Sequence, residues 1–266
     1  MRLIWLLLLS LSLFADERIV TLSPAIAEIT ADLGAQEAIV GVSEYTYYPQ
    51  TLQTRPKIGG YFSLSLEKII ALKPTLVIGL PHQAKTLKEL EAFKIKTLQV
   101  KLGKIGEIKS SITAIAKTIR REKKAKELVR EIEESQSSAP KLAQKKSVLI
   151  VFANASGIDK GVYVAGHDLY FEEILQLCGA QNAYRERYSA QPILQAESLI
   201  AADPDTVLLL FGPLDRFDAD AVMRSWERLP LKAVKNRSIR IIQSDYLLIP
   251  SHRIAKSIRT ICEAIR

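Results

Sequence analysis

The sequence predicts an α/β protein of two lobes, each with a parallel sheet flanked by helices, joined by a long helical linker. Short apolar segments alternate with helical patterns along both halves, which is typical of parallel sheets covered on both faces. The halves also resemble each other, and a charged stretch with helical periodicity separates them at residues 105–146. Because ligands of such sheets lie beyond the carboxyl ends of the strands, a ligand cleft is expected between the lobes.

The similarity between the halves consists of two motifs in the same order. Residues 28–38 (EITADLGAQEA) and 173–183 (EILQLCGAQNA) share the frame Glu-Ile, Gly-Ala-Gln and a final Ala. Residues 67–78 and 197–208 each begin with a glutamate, reach a proline seven residues later and end in an apolar strand pattern. A common helix–turn–strand pattern could explain one such match, whereas two in the same order favour two similar lobes.

The N-terminus has the features of a secretory signal peptide. Arg2 precedes an apolar run from Leu3 to Phe14, and Ala15 is a small residue before the expected cleavage point. The run is too short for a transmembrane helix. No cysteine lies near this junction, so a periplasmic protein without a lipid anchor is expected.

The first lobe is expected to open with a strand at residues 18–22. Ser23 and Pro24 follow it and can cap and begin a helix at Ala25. The other strands of this lobe are predicted at residues 38–42, 76–79 and 97–100, with helices near Glu67 and at 86–93.

The stretch between the lobes is predicted to form two consecutive helices, at about residues 106–120 and 122–143. Apolar residues recur at helical spacing from Ile108 to Ile119 and from Leu128 to Ile132, and charged residues fill the positions between them. The apolar pattern does not persist over three heptads, which excludes a coiled coil.

The second lobe repeats the alternation of the first. Its strands are expected at residues 147–152, 207–211 and 239–242, with helices near Glu172 and from about Ser251. The predicted organisation is a signal peptide at 1–15, a first lobe at 16–104, linker helices at 105–146 and a second lobe at 147–266.

Composition limits the function further. The formal net charge of +8 raises the question of nucleic-acid binding, but the lysines are densest on the linker helices and no base-reading motif accompanies them. Cys178 and Cys262 are the only cysteines, and in an exported protein a disulfide between them would persist. Two buried free thiols are the alternative.

The loops after the predicted strands carry many tyrosines and all three histidines, His82, His167 and His252. Tyrosine rings suit a bulky, flat or partly apolar ligand. The histidines would suit nickel, zinc or copper, although their spacing is too wide for a metal motif and each could be an ordinary loop residue.

Five motifs of the mature chain carry a resemblance to a known family: RIVTLSP at 18–24, VGVSEYTYYP at 40–49, LEKIIALKPTLVI at 66–78, LQLCGAQN at 175–182 and SDYLLIPSHR at 244–253. With these motifs, the whole mature chain resembles the class III periplasmic binding proteins, which serve ABC importers of vitamin B12, siderophores and haem. The resemblance implies a solute-binding protein, rather than an enzyme, that captures a corrinoid and delivers it to a permease dimer in the inner membrane. A monomer without a cofactor of its own is expected.

Within this resemblance, Tyr45 and Tyr61 fall on aromatic cleft positions of the vitamin B12-binding members, and Asp245 falls on a polar one. Leu80 and Gln191 stand where those members carry an aromatic residue. The expected ligand contacts are Tyr45, Tyr61, Leu80, Gln191, Asp245 and Tyr246.

The resemblance assigns three further features. Ile249 stands where the vitamin B12-binding members carry an arginine, so their set of ligand contacts is incomplete here. Cys178 and Cys262 fall where those members have their disulfide. Glu67 and Glu197 fall on the two glutamates that meet arginines of the permease subunits.

Three alternatives to a corrinoid remain open from the sequence. Haem or a ferric siderophore could bind with the Tyr61 phenolate as an axial ligand and a histidine close to the iron. A bare or chelated metal could be held by the three histidines. An exported hydrolase could use Ser23, His252 and Asp245 as a triad, although no G-x-S-x-G motif surrounds any serine and Gly59-Gly60 is not a phosphate loop.

Overall fold

The structure is a computed structural model that describes residues 17–61, 63–152, 158, 160–186 and 189–266. The predicted signal peptide lies outside these residues, as do parts of the loops expected after the strands at 147–152 and near 188. The described chain forms two sheets connected by two helices, and it confirms the predicted α/β class. Among the described residues, no helix combines the length and apolar character needed to cross a membrane.

The first sheet contains four parallel strands in the order β2-β1-β3-β4. The residues of β1 and β3 are buried, because these central strands are covered on both faces. The strands are β1 (Ile19–Thr21), β2 (Ile39–Val42), β3 (Leu76–Gly79) and β4 (Lys96–Gln99), and the helices are α1 (Pro24–Thr30), α2 (Leu66–Ala71) and α3 (Ala84–Ala92).

The start of α1 follows the sequence-based prediction. The Ser23 hydroxyl accepts a hydrogen bond from the Ile26 N–H at 3.3 Å, and Pro24 occupies the first helical position. A proline is tolerated there because its missing N–H has no partner in the first turn. This turn brings the N-terminus of α1 to the carboxyl end of β1.

The linker consists of α4 (Ile105–Thr118) and α5 (Glu122–Ser137). The prediction that the second helix continues to residue 143 is wrong. The Ser138 N–H and hydroxyl both donate to the Glu134 carbonyl, at 3.0 and 2.7 Å, and complete the last turn. Pro140 follows two residues later, and a residue before a proline is disfavoured in the helical conformation.

The second sheet contains six strands, five of them in the order β10-β9-β5-β6-β8, while β7 pairs with the start of β5. Its centre is parallel as predicted, whereas β6 and β8 add an antiparallel edge. The elements are β5 (Ser147–Phe152), β6 (Val162–Val164), α6 (Tyr170–Leu177), β7 (Gln181–Asn182), β8 (Ile193–Leu194), α7 (Ala196–Ala202), β9 (Thr206–Phe211), α8 (Ala219–Glu227), α9 (Lys232–Lys235), β10 (Ile239–Gln243) and α10 (Ile254–Ala264).

One buried apolar cluster runs from the first sheet through the linker helices to the second sheet. It contains Ile26 of α1, Ile112 of α4, Ile132 of α5 and Ile258 of α10, each fully buried. The linker is therefore part of a continuous core rather than an exposed tether. The lobe boundaries at residues 104 and 146 remain predictions.

Cys178 and Cys262 form the predicted disulfide, which joins the end of α6 to α10. The two cysteines are 84 positions apart in the sequence, so the bond closes a long loop and removes many conformations from the unfolded chain. We expect its reduction to lower the free energy of unfolding by about 2–4 kcal/mol. Differential scanning calorimetry with and without reductant measures this difference. In the Cys178→Ser/Cys262→Ser variant, which has no disulfide to reduce, added reductant should not lower the melting temperature. An equal melting temperature in both conditions would contradict it.

Candidate functional site

A cleft of about 810 Å³ lies where the loops at the carboxyl ends of both sheets face each other. The first sheet contributes residues that lie within two positions of the end of each strand: Ser23 after β1, Ser43 after β2, Leu80 after β3 and Lys101 after β4. The opposite wall comes from β5, β6, the start of α6 and the segment after β10. The cleft therefore lies at the position expected for ligands of parallel sheets.

Four of the predicted ligand contacts line this cleft: Tyr45, Tyr61, Leu80 and Gln191. Tyr45 and Tyr61 are 66% and 43% exposed, so their rings are available to a ligand. Tyr45 has φ +63°, a left-handed conformation that is uncommon for a bulky residue. Its ring contacts that of Tyr47 edge-on, with centroids 6.4 Å apart.

Asp245 and Tyr246 do not line the cleft, in contrast to the prediction. The Asp245 carboxylate accepts a hydrogen bond from Nη1 of Arg253 at 2.8 Å. The Tyr246 hydroxyl lies 2.9 Å from the Thr260 hydroxyl of α10. Arg253 therefore supplies Asp245 with a cationic partner inside the protein.

The predicted ligand contacts do not include the aromatic residues of the opposite wall, which are Phe152, Tyr163, Tyr170 and Phe171. The Tyr170 hydroxyl donates to the Leu247 carbonyl at 2.7 Å, and burial raises the pKa of Tyr170. Phe152 and Phe171 pack with ring centroids 5.6 Å apart. Their positions, at the end of β5 and the start of α6, were the only signal available.

The three histidines lie in three different places. His82 is in the cleft, with its ring centroid 4.3 Å from that of Tyr61, and burial lowers the pKa of His82. His167 contacts Glu172 through Nδ1 at 3.0 Å, beside a separate pocket of about 400 Å³. His252 contacts Asp32 through Nε2. Nowhere in the described chain do three or more metal-ligating side chains cluster.

These positions correct two hypotheses drawn from the sequence. The histidines cannot share one metal ion, because they lie apart and two of them are paired with carboxylates. Ser23, His252 and Asp245 do not form a triad either. His252 bonds to Asp32 while Asp245 bonds to Arg253, so no base–acid pair is oriented towards Ser23.

Charged groups occur at the edge of the otherwise apolar cleft. Glu107 Oε2 accepts hydrogen bonds from the N–H groups of Gly103 and Lys104, at 3.0 and 3.2 Å, and so caps α4. The main chain of Lys101 is held by the Ser111 hydroxyl, which donates to its carbonyl at 2.6 Å. The segment between β4 and α4 is thereby attached to α4.

The pairing of Asp32 with His252 predicts a pH dependence of stability. Burial alone would raise the pKa of Asp32, but the hydrogen bond and charge of His252 outweigh it and hold this pKa below 3.8. A lowered carboxylate pKa stabilises the fold above the ordinary value, and the contribution is lost as pH falls through the folded-state value. We expect Asp32→Asn to lower the free energy of unfolding by about 1.5–3 kcal/mol near pH 7.

Urea unfolding of both proteins at several pH values measures this difference. The difference in the free energy of unfolding between the wild type and Asp32→Asn should shrink as the pH falls below 3.8 and through the folded-state pKa of Asp32. A gap that stays the same at strongly acidic pH would show that the carboxylate charge is not what stabilises the contact.

Glu67 and Glu197 occupy equivalent positions in the two lobes. Each is the second residue of its helix, α2 or α7, and each side chain is exposed. In the part of the chain that the structure describes, neither carboxylate forms an ion pair. Two unpaired carboxylates at matching positions are available to an external partner.

Comparison with known proteins gives consistent results. The sequence profile of the family described as periplasmic binding protein matches residues 19–246. A vitamin B12-binding protein of Vibrio parahaemolyticus is 24% identical over 249 residues, which cover 93% of this chain and 88% of that protein.

Solved structures share the fold. The periplasmic haem-binding protein RhuT of Roseiflexus sp. RS-1, in apo form, has a TM-score of 0.79 and 24% identity, and the match covers 94% of this chain and 98% of that one. The vitamin B12-binding protein BtuF of Vibrio cholerae has a TM-score of 0.74 and 20% identity, over 94% of this chain and 96% of the other. At such identities the structural likeness establishes the fold alone.

Proposed function

Because the chain belongs to the periplasmic binding protein family, we propose that it captures a corrinoid in its cleft and delivers it to an ABC importer. The observation that carries the proposal is the cleft itself, which takes exposed tyrosine rings from both lobes. Tyr45 and Tyr61 come from the first lobe and Tyr163 from the second, all at least 43% exposed. The sequence similarity to vitamin B12-binding proteins over most of the chain supports the same ligand class.

The chemistry of a corrinoid fits such a cleft. Its cobalt is held by the corrin ring, so the protein has to provide flat apolar walls and a few polar groups rather than metal ligands. The aromatic rings and Leu80 supply the walls. The cleft is also lined by three polar residues that can contact amide or phosphate groups of the ligand, namely Gln191, Lys101 and Glu44.

Titration of the purified protein with cyanocobalamin, cobinamide, haemin and a ferric siderophore tests the proposal. Equilibrium dialysis with absorbance detection is suitable, because each of these ligands is coloured. We expect one corrinoid per protein, with an affinity well above that for the other ligands. Binding of haemin or the siderophore without binding of either corrinoid would refute the ligand assignment.

Haem is the second candidate, and the contact between Tyr61 and His82 is the observation in its favour. A phenolate and an imidazole are both ligands that haem iron accepts. Burial raises the pKa of Tyr61, however, so the free protein disfavours the phenolate and coordination would depend on the charge of ferric iron. This contact therefore supports haem less strongly than the cleft supports a corrinoid.

The Tyr61→Phe variant separates the two candidates. It keeps the ring and removes the oxygen, so we expect cyanocobalamin affinity to change by less than about threefold, whereas a haem site using Tyr61 would lose its phenolate-to-iron absorption band. The His82→Ala variant is the matched control, because it removes the imidazole that would be the other ligand of the haem iron. A large loss of corrinoid affinity in Tyr61→Phe would show that the phenol oxygen, not the ring, makes the contact.

Delivery requires the protein to be exported. The proposed route is secretion with removal of the segment ending near Ala15. N-terminal sequencing of the protein recovered from the periplasm gives the first mature residue. An unprocessed chain in the cytoplasm would contradict the proposed location.

A further inference from the structure

A buried group of charged residues lies directly behind the cleft wall. Arg253 and Glu28 are only 4% and 2% exposed. Arg253 donates to Glu28 through Nε at 3.0 Å and through Nη2, so the guanidinium and the carboxylate meet in a two-pronged contact. Ser251 also donates to Glu28, at 2.6 Å. Such bidentate contacts fix orientation as well as charge.

The same guanidinium also forms hydrogen bonds within the second lobe, to Asp245. Its Nη1 donates to the Asp245 carboxylate at 2.8 Å and its Nη2 to the Asp245 carbonyl at 2.7 Å. Burial alone would lower the pKa of Arg253, but the two carboxylates outweigh it and raise this pKa. Arg253 therefore stays charged and bonded on both sides.

Glu28 belongs to α1 of the first lobe, whereas Arg253 lies 225 residues later, in the segment between β10 and α10. The Tyr48 ring of the first lobe also lies under the Arg253 guanidinium, 4.0 Å away. The contact between His252 and Asp32 joins the same two segments. Three side chains of the first lobe, Glu28, Asp32 and Tyr48, thus contact one short stretch of the second.

That stretch includes part of the cleft wall. Leu248, Ile249 and Pro250 line the cleft and lie between Asp245 and Arg253 in the sequence. Because Arg253 bonds to Asp245 as well as to Glu28, both ends of the stretch are fixed to the first lobe. The position of this wall relative to the Tyr45 loop is set by these bonds.

We propose that Arg253 is a positioning residue that locks the two lobes at one separation and so sets the width of the cleft. The ligand then enters a cleft that is already formed, and the lobes part only when the contact between Arg253 and Glu28 breaks. The lock itself is independent of which ligand binds, while its effect on ligand release rests on the proposed function.

Distances between spin labels in the ligand-free protein test the lock. Labels on Lys88→Cys and Glu227→Cys report on α3 of the first lobe and α8 of the second, at exposed positions remote from the lock. We expect a narrow distance distribution that cyanocobalamin leaves unchanged. In the Glu28→Gln/Arg253→Met variant, which leaves no unpaired charge between the two residues, the distribution should broaden.

The control is Arg55→Met, which removes an ion pair with Glu37 that lies within the first lobe alone. It should leave the distances unchanged. If the double variant does not fold, Arg253→Lys keeps the charge, loses the two-pronged contact and should broaden the distribution to a smaller extent.

Release of the ligand gives a second readout. Cyanocobalamin should dissociate at least tenfold faster from the double variant than from the wild type. A folded variant whose melting temperature falls while its inter-lobe distances stay narrow would show that Arg253 is merely structural, and would overturn the proposal. Because the distances are measured without ligand, failure of the corrinoid assignment leaves that result interpretable.

Discussion

Reversing both Glu67 and Glu197 to lysine should abolish uptake of the ligand by cells while the purified variant binds the ligand as before. Both residues are exposed and neither has an ion-pair partner among the described residues, so the folded protein does not need their charge. We propose that they meet arginines of the permease, as the resemblance to the class III binding proteins implies. Opposite charges at a docking surface set register and encounter rate, and like charges repel.

The matched control for this variant is Glu122→Lys. Glu122 is also an exposed acidic residue in the first turn of a helix, α5, so its reversal carries the same loss of about 0.3–1 kcal/mol at the helix N-terminus. Uptake of labelled cyanocobalamin should be normal in this control and absent in the double variant. Normal uptake in the Glu67→Lys/Glu197→Lys strain would contradict the docking role and leave both residues only a role in stabilising the helix N-terminus.

Replacing Tyr45 and Tyr61 together with alanine should weaken ligand binding by about a hundredfold or more. A buried aromatic contact contributes on the order of 1–3 kcal/mol, and the two rings are exposed in the empty cleft but would be covered by a ligand. Because the rings are exposed before binding, their removal should cost little stability. The variant should therefore bind the ligand more weakly while its melting temperature stays close to that of the wild type.

The matched control here is Phe93→Ala, which removes an aromatic ring that is 58% exposed at the end of α3, away from the cleft. Its affinity should equal that of the wild type in isothermal titration calorimetry. If the folded Tyr45→Ala/Tyr61→Ala variant kept the wild-type dissociation constant, the ligand would bind elsewhere.

The strongly apolar strands could be predicted from the sequence because burial on both faces leaves a continuous apolar run. The bounds of β3 and β5 match the expected ones to the residue. The antiparallel strands β6 and β8 could not be found, because two or three residues are too few to show an alternating pattern. The end of α5 was predicted too late because the predicted helix ran through Pro140, whereas α5 ends at Ser137, before that proline.

The site was predictable where a residue directly follows a strand, as Leu80 follows β3. It was not predictable where a distant residue decides the orientation of a side chain. Asp245 lies in a cleft segment, yet it bonds to Arg253, whose own position is fixed by Glu28 from the other end of the chain. His252 is likewise turned away from the cleft by Asp32. Such pairings between distant segments leave no signal in a single sequence.

Competition between two ligands tests the central claim most directly. The mature protein is mixed with equal excesses of cyanocobalamin and haemin, freed of unbound ligand by gel filtration, and examined by absorption spectroscopy. Capture of a corrinoid in the cleft predicts one cobalamin per protein with little haem, and loss of that cobalamin in the Tyr45→Ala/Tyr61→Ala variant. Protein that emerges with haem alone, or that retains cobalamin equally in the variant, would contradict it.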